Sequence, residues 1–131
     1  LEHIRVHEFF DTLAELYRVM EVGGIASHRV DLQDHLDHSL HNLRFSSAFW
    51  ERDWWADSGF YTNRLRRNEI LRCMTDAGFT IVAVSSDRFS RLPLPRHKLA
   101  AEFRTIEDEE LGVRGFNVLL MKGRGGSWSS H

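Results

Sequence analysis

The stretch LYRVMEVGGIASHRVDL, residues 16–32, decides the fold, because the period of its apolar residues changes in the middle. Looking back from it, Val6, Phe9, Phe10, Leu13, Leu16, Tyr17 and Met20 recur at three- and four-residue steps. That spacing predicts one apolar stripe on a long amphipathic helix. Gly23-Gly24 ends the helix, since a left-handed residue after the last turn is least costly as glycine. Beyond it, IASHRVDL (25–32) predicts a strand. Ala26, His28, Val30 and Leu32 share one face of it, and Ile25, Ser27, Arg29 and Asp31 the other.

Working outward, residues 33–65 are rich in His, Asp, Trp and Arg and weakly periodic, with a short helix expected in SSAFWERDWW behind Ser46 or Ser47. A helix follows at 66–77, with Ile70, Cys73, Met74 and Ala77 on one face and Gly78 as its stop. FTIVAVSS (79–86) predicts a buried strand, RLPLPRH a turn region, 98–111 partial helix, and GFNVLLMK (115–122) the last strand. The tail GRGGSWSSH (123–131) is expected to be disordered. The order of elements predicts an α/β fold in one domain, 1–122. A long irregular excursion inside such a domain tends to be functional.

Composition narrows the classes. A chain of 131 residues, 42% hydrophobic and 27% charged, is that of an ordinary globular domain. No apolar run is long enough to span a bilayer, so no membrane association is expected. The net charge of −2 gives no general attraction to nucleic acid. Cys73 is the single cysteine, so no internal disulfide can form; a cytoplasmic location and a buried, inert thiol are expected.

LEHI at 1–4, the helix ending LYRVMEVGG, then HRVDLQDH, LRFS, YTNRLR and EILRCMTDAGF form an ordered series. It resembles the C-terminal half of a class I S-adenosylmethionine-dependent methyltransferase. The likeness spans residues 1 to about 122 and departs at Val22, where the family pattern carries proline. It implies a Rossmann-like sheet in which 25–32, 115–122 and 79–86 are strands 5, 7 and 6, mixed in direction, with flanking helices. It also implies S-adenosylmethionine as cofactor and methyl transfer to a small-molecule acceptor, an O-methylation where the acceptor is a hydroxyl. The family's glycine-rich loop after its first strand is missing: no G-x-G-x-G follows an apolar strand here. The expectation is therefore half an enzyme, unable to bind the cofactor tightly by itself. The alternative is a non-enzymatic α/β module that self-associates or binds protein. The resemblance also implies an exposed edge at strand 25–32, so a homo-oligomer joined across that edge or by exchange of the N-terminal helix is expected.

The resemblance places the acceptor beyond the carboxyl end of strand 25–32. His35 is the candidate general base, with Asp31 or Asp34 as orienting carboxylate. His3 and His28 are expected to face the same space, and Trp50 and Tyr61 to wall an apolar pocket or pack as core. Asn63 and Arg64 either hold an anionic group of the acceptor or belong to a solvated helix start. His35, His38 and His41 fall at i, i+3 and i+6, and on a helix the third diverges from the face of the first two. With no further ligand motif, no metal site is expected.

Overall fold

A computed structural model of the chain describes residues 1–34, 39–57 and 61–123. In chain order the elements are α1 (Val6–Val19), β1 (Ile25–Asp31), α2 (Ser47–Trp50), α3 (Asp53–Ala56), α4 (Arg67–Asp76), β2 (Thr80–Arg88), α5 (Asp108–Leu111) and β3 (Val113–Met121). Short 3-10 turns lie at His41–Arg44, Arg96–Lys98 and Ala101–Phe103. Of the tail expected to be disordered, 124–131 lies outside the described residues.

The three strands form one sheet in the order β1–β3–β2. Both pairings are antiparallel, with Val30 opposite Phe116 and Ser86 opposite Phe116 on the other side. The sheet is thus antiparallel throughout rather than mixed. β1 and β2, separated by β3, run in the same direction. β2 continues past Ser86 to Arg88, and β3 begins at Val113 rather than 115.

Two turns join these elements. Gly23, at φ 85°, turns the chain from α1 into β1. Gly78, at φ 114°, leads from α4 towards β2. A Cβ on Gly78 would also lie 2.9 Å from the Tyr17 ring, so no other residue fits that junction without displacement.

One face of the sheet is covered. Phe9 and Leu13 of α1 and Ile70 and Met74 of α4 share a core with Val30, Phe116, Val118 and Leu120. Each such side chain contributes about 1.5–3 kcal/mol by leaving water. Cys73 is half-buried against this core, and burial pushes its thiol up, as suits an unreactive position. The other face shows water Ser27, Arg29, Asn117, Leu119, Ala83 and Ser85.

A second, smaller core lies apart from the first. Leu40, Leu43, Leu99 and Leu111 are its buried members, with Phe89, Leu92, Leu94, Phe103 and Ile106 around them. It gathers the excursion after β1 and the connection between β2 and β3, which both leave the sheet at the same end because β1 and β2 run the same way. The Ala100 N–H donates to the Leu43 carbonyl at 2.8 Å, and the Glu102 carboxylate accepts from the Ser47 N–H at 2.8 Å and its hydroxyl at 2.9 Å.

Candidate functional site

The run Tyr61-Thr-Asn-Arg-Leu-Arg66 sits where the two cores meet, at the carboxyl end of β1. Tyr61, Thr62, Asn63, Arg64 and Arg66 are all buried, Arg66 to 2% exposure. Buried polar groups on this scale persist only with partners, and each one has them. Asn63 pins the segment 1–4: its Nδ2 donates to the carbonyls of Leu1 (2.9 Å) and Ile4 (3.0 Å), and its N–H to that of Glu2 (2.7 Å). The Arg66 guanidinium spans the Arg64 carbonyl (3.2 Å) and the Leu32 carbonyl at the end of β1 (3.4 Å).

Arg64 is the most constrained of these. It has φ 60°, the single non-glycine residue with positive φ among those described. Its guanidinium donates to the carbonyls of Asn42 (3.2 Å) and Phe45 (2.6 Å) and to the Ser47 hydroxyl (3.2 Å). It lies between the rings of Trp50 and Phe103, 4.9 and 4.7 Å from their centroids, with Glu102 at 3.9 Å. Burial pulls it down to about 10, against the opposing pull of Glu102. In this arrangement the guanidinium is committed to main-chain and ring partners, and the burial of 63–64 replaces the solvated helix start of the other reading.

Tyr61 and Trp50 are also tied. The Trp50 Nε1–H donates to the Thr62 carbonyl at 2.6 Å. The Tyr61 hydroxyl accepts from the Val6 N–H at 3.3 Å and donates to the Glu51 carboxylate, whose two oxygens lie at 2.8 and 3.0 Å. Burial and that carboxylate push Tyr61 up to about 12, so it is a proton donor and not a base at neutral pH. Arg5 closes the network, donating to the Glu51 carbonyl (2.6 Å) and to Asp53 (3.2 Å).

His3 lies at the open side of this cluster. Its Nδ1 is 2.9 Å from the Tyr61 carbonyl, which can only accept. In the neutral ring Nδ1 therefore carries the proton and Nε2, 3.9 Å from the Glu2 carboxylate, is the basic nitrogen. Glu2 reaches back to the sheet, its Oε1 3.5 Å from the Asp31 N–H. These contacts bring His3, Tyr61, Asn63 and the end of β1 together.

The remaining candidates are placed differently. The Asp31 carboxylate accepts from the Gln33 N–H at 3.1 Å. Asp34, buried, accepts from the backbone of Ser39 (3.1 Å) and His41 (2.9 Å). His35, proposed as base, lies outside the described residues, as does His38. His28 sits apart, on the covered face of β1. Its Nε2 is buried without a hydrogen-bond partner, and burial, then the positive amino terminus, holds its pKa down. Among the described residues no cluster of three His, Cys, Asp or Glu side chains is placed to hold a metal ion. No helix among them is long and apolar enough to cross a membrane.

A cavity opens along the same seam. Val6 and Glu69 line it from the side of α1 and α4, Glu51, Glu102 and Phe103 from the other, and Arg64 forms its floor with Asn63 and Leu65. Glu51, Glu69, Glu102 and Arg5 carry no motif in the sequence. Among the described residues the paired glycines do not form the strand-to-helix turn of a nucleoside cradle. Gly23 and Gly24 follow a helix, the Gly23 N–H is taken by the Lys122 carbonyl at 2.6 Å, and a Cβ on Gly23 would meet nothing within 4 Å.

Comparison with known proteins finds no protein-family model, no curated protein and no solved structure that matches the chain.

Proposed function

We propose that the chain forms the acceptor side of a Rossmann-like, S-adenosylmethionine-dependent methyltransferase that acts on a small-molecule hydroxyl. One observation carries the reading: β1 and β2 point the same way, and the buried polar run 62–66 with Asp34, Ser39 and Asn42 gathers beyond the carboxyl end of β1, where open α/β sheets bind ligands. The ordered motif series LEHI, LYRVMEVGG, HRVDLQDH and YTNRLR supports it from the sequence. Catalysis at such a site is mostly positioning of the acceptor plus removal of its proton. The proton goes to a histidine: His35, the general base expected from the sequence, or His3, whose Nε2 is the basic nitrogen at this end of the sheet. Cofactor binding rests on residues other than these.

The test uses the reading frame that contains these residues. The frame should supply, upstream, a strand–G-x-G-x-G–helix unit, and its purified product should transfer labelled methyl groups from S-adenosylmethionine to an alcohol or phenol. A frame without that unit, or a product that binds no S-adenosylmethionine by calorimetry, overturns the proposal. A second reading, a self-associating module, is favoured by the free edge of β1. Association that persists in the full frame, with no methyl transfer, selects it.

A further inference from the structure

The two cores are held together by polar groups, and this separates them mechanically. Residues 39–57 and 89–106 share the smaller core and their own bonds, Ala100 to Leu43 and Glu102 to Ser47. Their ties to the rest run through the 61–66 seam, Trp50 to Thr62, Asn42 Nδ2 to Thr62 Oγ1 at 3.1 Å, Tyr61 to Glu51, and Arg64, and at the margins through Arg5 to Glu51 and Asp53, Asp34 to Ser39 and His41, Phe89 to Gly112, and Arg96 to Asp108. Arg64 is the charged residue of the seam that reaches both segments, touching Asn42, Phe45, Ser47 and Trp50 on one and Glu102 and Phe103 on the other. It does so with a left-handed backbone and a desolvated charge whose nearest carboxylate is 3.9 Å away. Both features weaken the closed arrangement relative to one in which the guanidinium meets water. The cavity beneath, lined from both sides of the seam, is the space that parting would widen.

We propose that 39–57 and 89–106 move together as a lid over the carboxyl ends of β1 and β2, with Arg64 as its latch. Opening admits the ligand and closing removes it from water. That this ligand is a methyl acceptor rests on the function proposed above; the motion itself does not.

Amide hydrogen exchange on the 131-residue chain tests the motion with no substrate or cofactor. Protected amides of the two lid segments, such as Trp50 and Ala100, should exchange at one common opening free energy, well below that of β3 and α1. Arg64→Ala should raise both sets by about tenfold or more, leaving β1 and β3 unchanged. Arg64→Lys, which keeps the charge but not the fork, should fall between. Lid amides as slow as those of β3 in the unaltered chain would overturn the lid. So would two segments that open at different free energies. An equal rise across lid and sheet in both variants would overturn the latch. None of these outcomes depends on methyl transfer, so the lid and the proposed activity can fail separately.

Discussion

The Arg29 guanidinium and the Asp87 carboxylate close an ion pair at 2.8 Å across the central strand, over Gly115. The pair is possible because β3 has no side chain there. A Cβ on Gly115 would lie 2.7 Å from Arg29 Nη2 and 3.0 Å from the Val30 carbonyl. The arginine can swing away, but the carbonyl belongs to the ladder. Gly115→Val should therefore cost about 2 kcal/mol by overpacking, while Asp87→Ala, which breaks a half-exposed pair, should cost less than about 1 kcal/mol. In an Arg29→Ala background the cost of Gly115→Ala should shrink, since the two positions share one space. Urea unfolding of the four chains checks this. Strict additivity would remove the crossing as the reason for the glycine.

Asn63 should prove a structural residue. Asn63→Ala leaves the Leu1 and Ile4 carbonyls without their donor, at a cost of about 1–3 kcal/mol. Asn63→Asp should be worse at neutral pH, because a carboxylate oxygen would face two carbonyl oxygens. Acid should narrow the gap as that carboxylate takes a proton. Thermal unfolding at pH 4 and 7 measures it. A gap independent of pH would mean that Asn63 is held in some other way.

Periodicity made the body of the fold legible. The α1 helix and the alternation of β1 follow from burial on one side of a regular element; the helix ends at Val19 with Met20 extended, before the expected Gly23-Gly24 stop, and Val6 and Phe10 of the expected stripe are exposed. The end of β2 did not follow: Ser85 to Arg88 are polar, and the ladder to β3 holds them rather than any apolar pattern. The 61–66 run was the least legible. Thr62 and Arg66 look like surface residues, yet they are buried because carbonyls from positions far away in sequence meet them, Leu32 being 34 residues from Arg66. The short aromatic helix α2 is held through Trp50 by Arg64 and Thr62, and α3 through Asp53 by Arg5, in the same non-local way. A sequence shows which groups could pair but not which distant backbone arrives to accept them.

Tyr61 gives the chain an alkaline limit. Its folded pKa, about 12, stands above the ordinary value of 10, so the folded state holds this proton more tightly than the unfolded state. The stability it contributes is complete below pH 10 and is lost as pH rises towards 12. The amount is on the order of 2 kcal/mol. Tyr61→Phe should be less stable than the parent at pH 7 and lose less between pH 10 and 12. Parallel curves for the two chains over that range would show that Tyr61 does not titrate against folding.

His28 sets the opposite limit. Burial holds its folded pKa below the ordinary 6.5, so protons favour the unfolded chain. Its contribution is present above pH 6.5 and lost as pH falls below it. His28→Phe, similar in bulk and without charge, should flatten that part of the stability curve between pH 7 and 5. An unchanged slope would place the acid sensitivity elsewhere.

The edge of β1 decides whether the chain stands alone. In the β1–β3 ladder the Leu32 N–H donates to the Arg114 carbonyl and the Lys122 N–H to the Gly24 carbonyl, so even-numbered residues face β3. By alternation Ile25, Ser27, Arg29 and Asp31 turn their N–H and C=O groups away from it. Glu2 meets the Asp31 N–H, but no strand among the described residues pairs with the others. An edge with a free polar row, beside Ile25 at 57% exposure, recruits a further strand. In the 131-residue chain by itself, the available strand is β1 of a second copy. Size exclusion with light scattering should show a dimer or larger species at low micromolar concentration. Ser27→Pro should abolish it, since proline removes an N–H that points outward and leaves the ladder to β3 intact. Circular dichroism should be unchanged in that variant, separating a blocked edge from a broken fold. A well-folded monomer in the parent chain, or association that survives Ser27→Pro, would mean that the β1 edge recruits no strand.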